Sequence, residues 1–256
     1  MTDATRPRRR TGRWIAVLVV VVVLAAGLAV AAEFIARSVI AGTVRTLVVQ
    51  KVGLPADQPI DVQISGIVLP QLVAGRLDEV SVSSDDVALG PLTGDVRVEM
   101  QGVPITADSA ATGGTAAVRL DEAQVRSLLA RIDGFPADTV TLAAPDLDVS
   151  TDVSLFGIPV PVGVSLTPGA TEGELTLTPS AFRLAGNQVD ADTLRAQLGG
   201  LADVVLKTRS LCVADQLPRA LTLTAASVQG SDVVAAFLID GSIIVDPSLQ
   251  QKGSCG

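Results

Sequence analysis

Near its start the chain has an uncharged apolar segment that is long enough to cross a lipid bilayer. Trp14–Ala32 contains nineteen residues without a charge, which as a helix would span about 28 Å, close to the thickness of the hydrocarbon layer. Five arginines precede this segment and Glu33 follows it, so the N-terminus is predicted to be cytoplasmic. We therefore divide the chain into a basic cytoplasmic tail (1–13), a transmembrane anchor or uncleaved signal (14–32) and an extracytoplasmic domain (33–256).

Removal of the apolar segment by cleavage is an alternative to its retention as an anchor. Ala29-Val30-Ala31 resembles a small-x-small cleavage site, and cleavage near Ala31 would release a secreted domain to the periplasm or cell wall. The segment is longer than the apolar part of an ordinary signal peptide, which favours an uncleaved anchor in the cell membrane. Beyond it, apolar residues at helical spacing predict a helix that continues into the domain and packs on its sheet: Ile40, Val44, Leu47, Val48 and Val52. A helix lying on the membrane surface is the less favoured alternative, because its basic residues are few.

Charge and composition exclude several classes of function. The net charge is −8, and from Ala32 onward fourteen basic residues face twenty-six acidic ones, so nucleic acid is not an expected partner. The chain has no histidine, which removes the commonest general base and the commonest metal ligand. No P-loop, dinucleotide fingerprint or GxSxG elbow is present, and we expect no metal and no cofactor.

Alternating apolar residues predict that most of the domain consists of antiparallel strands. The alternation begins after the turn-rich segment 53–59 and indicates a β-meander followed by further hairpins, about ten strands in one large curled sheet or sandwich. The predicted strands contain Val80–Val82, Val87–Leu89, Val96–Met100, Leu147–Leu155, Val160–Leu166, Leu175–Leu177, Leu221–Leu223, Val233–Ile239 and Ile243–Val245. Phe156–Pro159 is predicted to form a hairpin or bend, and Gly113-Gly114 to lie in a loop of small residues.

Two short segments have helical patterns that resemble each other, Leu120–Leu129 and Val189–Leu198. Each contains an aspartate at the position of an N-terminal cap, Asp121 or Asp190, and an apolar pair spaced by four residues. Two unrelated helices and a degenerate strand-helix repeat explain this likeness equally well. In either case each helix has one apolar face to bury.

The two cysteines of the chain, Cys212 and Cys255, are predicted to form a disulfide. An exported domain is in a compartment that permits such a bond. Closing a loop of this length would stabilise the fold by roughly 4 kcal/mol. A redox or metal pair is the weaker alternative, because there is no CxxC spacing.

Carboxylates are the only candidates for acid or base chemistry. The adjacent pairs are Asp78-Glu79, Asp85-Asp86 and Asp121-Glu122. Neighbouring residues on a strand point to opposite faces, so these pairs do not converge on one bond, and we interpret them as cap or turn residues. The remaining feature is an aliphatic interior with few aromatic residues, which is completed either by the helices or by lipid.

Two stretches of the sequence resemble a known family. The stretch Gly66–Val80 with the strands up to Val103, and the closing pattern of Cys212, Leu217-Pro218 and Gly253-Ser254-Cys255, are similar to the actinobacterial LmeA-like family. This chain has Ile67-Val68 where relatives usually carry an aromatic residue and proline, and Pro70 comes later. The resemblance implies an α+β, mainly β fold, a curled antiparallel sheet with long helices on one face, similar to tubular lipid-binding proteins of the bactericidal/permeability-increasing type. It also implies binding of phospholipid, phosphatidylinositol included, and a supporting role in lipomannan-type lipoglycan maturation.

Our leading hypothesis from the sequence is a non-enzymatic domain that binds membrane phospholipid or lipoglycan acyl chains at the inner-membrane surface. The residues predicted to line an aliphatic groove between sheet and helices are Val96, Val98, Met100, Leu128, Leu129, Val160, Val162 and Val164. One rival is a structural or partner-binding domain with a filled core. A second, less favoured rival is a glycan hydrolase in which two distant carboxylates converge.

Overall fold

The computed structural model contains two antiparallel sheets of six strands each. It describes residues 10–89, 92–106, 108–130, 136–155, 158–184, 187–190, 193, 196 and 207–254. The strands are β1 (Asp61–Ile64), β2 (Arg76–Leu89), β3 (Leu92–Pro104), β4 (Gly113–Asp121), β5 (Thr141–Ala143), β6 (Asp146–Leu155), β7 (Ile158–Thr171), β8 (Glu174–Leu184), β9 (Asn187–Asp190), β10 (Arg209–Leu211), β11 (Leu221–Gln229) and β12 (Asp232–Ile239).

Among the described residues, the α-helices whose bounds are described are one very long helix and two short ones. They are α1 (Arg10–Val52), α2 (Val68–Ala74) and α3 (Glu122–Leu129). α1 has 43 residues, which corresponds to a length of about 65 Å. Its most apolar window has a mean hydropathy of 3.1, and none of that window is buried against the protein. This part of α1 is therefore long and apolar enough to be a membrane anchor or a signal sequence.

The first sheet has the order β1-β2-β3-β4-β12-β11. Residues directly opposite each other in an antiparallel pair point to the same face. One such row runs from Val82 through Val98 and Ala116 to Phe237 and Leu223, and all of its members are apolar. The positions between them, for example Arg97 and Thr115, lie on the opposite, polar face. One face of this sheet is thus continuously apolar, as the alternation predicts.

The second sheet has the order β10-β8-β7-β6-β5, with β9 paired to β8. Its apolar face carries Leu147, Val149 and Val164 in register. The other face carries a polar cluster: the Asp148 carboxylate accepts hydrogen bonds from Ser165 and from Arg183 Nη2, the latter at 2.9 Å. Ser180 Oγ donates to Asp146 at 2.9 Å. These aspartates hold β6, β7 and β8 together on the polar face.

The apolar faces of the two sheets meet in shared clusters of buried side chains. One cluster joins Leu147 and Val149 of the second sheet to Val228 of the first and to Val125 of α3. Another joins Leu223 and Phe237 of the first sheet to Ala170 and Leu175 of the second. The two sheets also approach each other through a bridge between Gly173 and Leu223. Two of the three buried clusters therefore span both sheets, whereas the third, of Ile64, Val68, Leu77 and Val80, joins α2 to the first sheet alone.

Several predictions about the strands and the first short helix are confirmed. β2, β3 and β4 form the predicted meander. A hairpin is present where Phe156–Pro159 predicts one, but Ile158 and Pro159 already belong to β7 and pair with Leu155 and Ser154. Asp121 caps α3: its Oδ1 accepts from the Gln124 amide at 2.7 Å, and the Gln124 side chain accepts from the Asp121 amide at 2.9 Å. Val125 of this helix is buried.

Other predictions need correction. Of the two predicted arrangements, one curled sheet or a sandwich, the structure has two sheets that share buried clusters, so the single curled sheet is wrong. The two short helices α2 and α3 have only seven and eight residues, so the long helices expected on one face are absent after α1 from the described part. Ile243–Val245 is not a strand, because the Asp240 side chain accepts from Ser242 N and starts a 3-10 turn at Gly241–Ile244. Gly113-Gly114 begins β4, a strand between β3 and β12. Apart from Val189 and Asp190 in β9 and the helical residues Thr193 and Ala196, the second predicted helix lies outside the described residues.

The described residues include only one of the two cysteines of the predicted disulfide. Cys212 is not a free thiol. Cys255 lies outside the described residues, so the pairing of these two cysteines stays a prediction.

Candidate functional site

The interior between the sheets is built from small aliphatic side chains that remain half-buried. Only nineteen hydrophobic side chains of the described residues are buried, and just two, Val68 and Val140, are completely so. Many side chains on the inner faces are half-buried, for example those of Val82, Val118, Leu166, Leu177 and Phe182. An interior of this kind has apolar surface still in contact with solvent, which a hydrocarbon ligand would cover favourably.

Most of the residues predicted to line the groove are on these inner faces. Val96, Val98 and Met100 lie on β3 and are half-buried. Val162 and Val164 lie on β7 and are also half-buried. Val160 lies opposite Val153 in β7, and its side chain is outside the described residues. Leu128 and Leu129 are half-buried on α3.

The structure brings only some of these residues together. Leu129 and Val164 pack against the cluster that contains Val149. Val98 packs against the cluster that contains Phe237. Met100, Val96, Leu128 and Val162 are on the inner faces without being part of a buried cluster. The sequence therefore identified the apolar faces, but not the centres of the clusters, where Val140, Leu147, Leu223 and Val228 lie.

The described part of the chain has two open clefts, one lined by polar residues and glycines and the other by a mixture of polar and apolar residues. The larger, of about 600 Å³, includes Arg76, Asp78 and Gln101. The smaller, of about 480 Å³, includes Glu172, Glu174 and Arg219. None of the residues predicted to line the groove takes part in either cleft. Neither cleft therefore coincides with the predicted groove, although Leu217 and Leu221 of the smaller cleft pack against the buried cluster of Leu223 and Phe237.

The second feature near the apolar interior is a junction between α1 and α2. α2 has no side-chain cap of its own at Ile67, and Glu33 of α1 replaces it. The Glu33 carboxylate accepts hydrogen bonds from the amides of Val68 at 2.7 Å and Leu69 at 3.0 Å. A carboxylate at a helix N-terminus satisfies free amides and interacts favourably with the helix dipole.

Arg37 completes the junction. Its guanidinium donates to the carbonyls of Ile64 and Gly66, the latter at 2.7 Å, and pairs with Glu33 at 3.1 Å. Apolar contacts reinforce these bonds, because Ala36 and Ile40 pack against the buried cluster of Ile64, Val68, Leu77 and Val80. The predicted packing of the continued helix is thus confirmed for Ile40; Val44 and Val48 are half-buried, whereas Leu47 and Val52 are exposed.

The ionised form of Glu33 is the one that stabilises this junction. The amide hydrogen bonds from Val68 and Leu69, and then the neighbouring Arg37, hold the pKa of the Glu33 carboxyl below its usual value. Because the pKa is lower in the folded state, this contribution is complete above the ordinary glutamate pKa and is lost as the pH falls through the lower folded-state pKa.

The pH dependence of the junction can be measured by amide exchange. We expect the protection of the Val68 and Leu69 amides, relative to that of a β7 amide, to be constant from neutral pH down to the ordinary glutamate pKa and to fall below it. In Glu33→Gln the protection of these amides should be lower at neutral pH and should not change over the same range. A native chain that shows no more pH dependence than Glu33→Gln would contradict this role.

The acidic pairs seen in the sequence serve structural roles where the structure describes their contacts. Asp121 caps α3, and Glu122 accepts from the Leu142 amide at 2.9 Å while pairing with Arg126 at 2.6 Å. Glu79 accepts from Ser65 Oγ at 2.9 Å. The interpretation as cap or turn residues is therefore confirmed for Asp121-Glu122, but Asp78-Glu79 and Asp85-Asp86 lie within strand β2, so for these two pairs it is wrong.

Comparison with known proteins gives one match. The profile of a family described as LmeA-like phospholipid-binding matches residues 31–237, a range that includes the α1–α2 junction and both sheets. No curated protein and no solved structure matches the chain. Because the match covers most of the chain, the protein belongs to the LmeA-like phospholipid-binding family.

Proposed function

We propose that the domain holds the acyl chains of a membrane phospholipid between the apolar faces of its two sheets and does so without catalysis. The observation that carries this proposal is the shared, aliphatic and half-buried interior in a member of a phospholipid-binding family. Flexible acyl chains suit walls of Val, Leu and Ala, because dispersion and burial depend on contact area and not on directed bonds. The residues predicted from the sequence, from Val96 on β3 to Val164 on β7, are our candidates for the walls.

The proposal includes a location and a biological setting. The apolar part of α1 is proposed to anchor the chain, with the N-terminus in the cytoplasm and the domain outside, because five arginines precede the apolar run and positive charge is retained on the cytoplasmic side. A tethered domain meets membrane lipid at high local concentration. The ligand is proposed to be of the phosphatidylinositol or lipoglycan type, and the role to be support of lipoglycan assembly, from the family resemblance.

A structural domain with a filled core is the alternative to lipid binding. The two proposals differ in whether phospholipid stays bound to the protein when it is extracted from the membrane. We expect the full chain, extracted from membranes in mild detergent, to show by native mass spectrometry an added mass equal to one or two phospholipids. This mass should persist at collision energies that remove detergent and should be identified by lipid analysis of the same sample.

The control for this measurement is the same chain after denaturation and refolding in lipid-free detergent. Phospholipid added back should restore the bound mass, whereas a soluble lipid head group without acyl chains should not. A native chain whose mass equals that of its sequence would support the filled core and would contradict the proposed binding.

A further inference from the structure

We propose that an apolar collar at the point where α1 leaves the bilayer inserts into the lipid interface and fixes the domain against the membrane. The collar consists of Phe34, Ile35, Ile67, Val73 and Ile105. The proposal rests on the membrane anchoring proposed above, but it concerns a different surface from the interior that would hold acyl chains. Its occupant is the lipid surface itself.

Exposed apolar side chains are concentrated at this place. Beyond α1, the described residues include six large hydrophobic side chains that are exposed: Ile67, Val73, Ile105, Leu211, Leu238 and Val245. Three of the six surround α2. Ile67 directly precedes the helix and is 66% exposed, Val73 is in its last turn and is 91% exposed, and the Ile105 amide donates to the carbonyl of Gly75, the residue that ends α2, at 3.1 Å. Exposed apolar residues that cluster indicate a contact surface.

The α1–α2 junction fixes the height of this cluster relative to the membrane. Glu33 is the first residue after the apolar run, and its carboxylate binds the first two amides of α2. The N-terminus of α2 is thus held level with the end of the run. α2 has seven residues and is only about 10 Å long, so Val73 lies within about 10 Å of that level. This is the depth at which amphipathic protein surfaces enter the head-group region.

α1 contributes the other side of the collar. Phe34 is 75% and Ile35 is 61% exposed. A residue two positions after Glu33 is rotated by about 200° around the helix axis, so Ile35 points away from α2 while Glu33 points toward it. On the sides that do not face α2, exposed apolar side chains therefore continue directly from the membrane span of α1.

The charges at this level are arranged for such an interface. An unpaired carboxylate at the edge of the hydrocarbon would be costly. Glu33 instead has hydrogen bonds from two amides and an ion pair with Arg37. The pairing means that Glu33 itself is not a lone charge at the bilayer surface. Arg76, Asp78 and Glu79 lie nearby, in the polar cleft that includes Gly66. Continuity with the span, together with this pairing, identifies lipid as the occupant.

The depth of the collar can be measured by tryptophan quenching in the full chain. Trp14 is the only tryptophan, so the double variant Trp14→Phe/Ile67→Trp has a single indole at the collar, and Trp14→Phe/Val73→Trp is a second probe. Both positions are exposed, so neither substitution disturbs the core. In vesicles of phosphatidylcholine with brominated acyl chains, we expect quenching by roughly half or more relative to unbrominated vesicles.

The matched control is Trp14→Phe/Ser231→Trp. Ser231 is in the exposed turn between β11 and β12. Its neighbour Asp232 and Ile239 are at opposite ends of β12. Ile239 lies in a row of paired residues that crosses the sheet to Ile64 of β1. The separation from β1 is about 30 Å from strand spacing and rise, so the Ser231→Trp indole should not be quenched. Equal quenching of the collar and control indoles, or none of either, would overturn the proposal. An unquenched collar would mean that it faces solvent or a protein partner.

The outcome is separable from that of the lipid-binding proposal. A chain without co-purifying phospholipid whose Ile67→Trp indole is still quenched would retain the collar and lose the proposed interior site. A chain that carries phospholipid but has an unquenched indole would show the opposite.

Discussion

Replacing Gly114 with alanine is expected to lower the free energy of unfolding by about 3 kcal/mol. Gly114 is in β4, opposite Met100. A Cβ at this position would lie 2.5 Å from the carbonyl oxygen of Glu99 and 2.5 Å from Met100 Sδ. The sulfur can move aside, but the carbonyl oxygen belongs to the backbone of a strand in the middle of the sheet. The separation of β3 and β4 would therefore have to increase.

Thermal unfolding of the full chain in detergent measures this effect. For a domain of this size the melting temperature should fall by roughly 6–12 °C. Gly163→Ala is the matched control, because Gly163 is also in a strand, and its nearest contact would be the side-chain Cβ of Arg183 at 3.3 Å. That variant should change stability by less than about 1 kcal/mol, since alanine also reduces the entropy of the unfolded chain. Equal losses in the two variants would show that the close approach at Gly114 is not the cause.

The same glycine shows why part of the fold was not predictable from the sequence. The alternation of Ala116, Val118 and Leu120 in β4 was present, but two glycines and the small residues around them resembled a loop. The requirement for glycine comes from the approach of a neighbouring strand, and a single-sequence pattern does not report that approach. β2, β3 and β6 to β8 were predictable because their apolar residues alternate and their partners are adjacent in the chain.

The division into two sheets depends on contacts between distant residues. The ladder between β4 and β12 returns the end of the chain to the first sheet, and within it Arg119 pairs with Asp232 at 2.8 Å, across more than one hundred residues. No local signal marks it. The cap of α3 was predictable because Asp121 and Gln124 are three residues apart, whereas the cap of α2 comes from Glu33 on another helix. Read alone, Glu33 is only a charge after an apolar run.

The same limit applies to the predicted lining of the groove. Alternation places Val96 and Val162 on apolar faces, and the structure agrees. Whether a side chain on that face touches protein depends on how the two sheets meet, which is a property of the whole fold. Val164 and Leu129 turned out to pack against buried side chains, and Val96 and Val162 did not. The latter two are therefore the better probes of a bound ligand.

Phenylalanine at Val96 or Val162 is expected to weaken phospholipid binding by about tenfold for each substitution. Both side chains are half-buried on the inner faces, one opposite Val118 on β4 and the other opposite Thr151 on β6. A phenyl group in place of an isopropyl group would displace roughly two methylenes of an acyl chain, each contributing about 0.8 kcal/mol of burial. The protein itself should remain folded, because neither valine is part of a buried cluster.

Titration of the delipidated chain with phospholipid, followed by native mass spectrometry, measures the apparent affinity of each variant. The matched control is Val234→Phe, since Val234 is also half-buried but lies opposite Arg119, on the polar face of the first sheet. This control should bind lipid as the native chain does, and thermal unfolding should show that all three variants fold. If Val96→Phe and Val162→Phe bind lipid as well as Val234→Phe does, the acyl chains do not lie between the sheets. The family's ligand would then have to bind elsewhere, and the polar cleft around Arg76 beside α2 would be the next surface to test with charge-reversing substitutions.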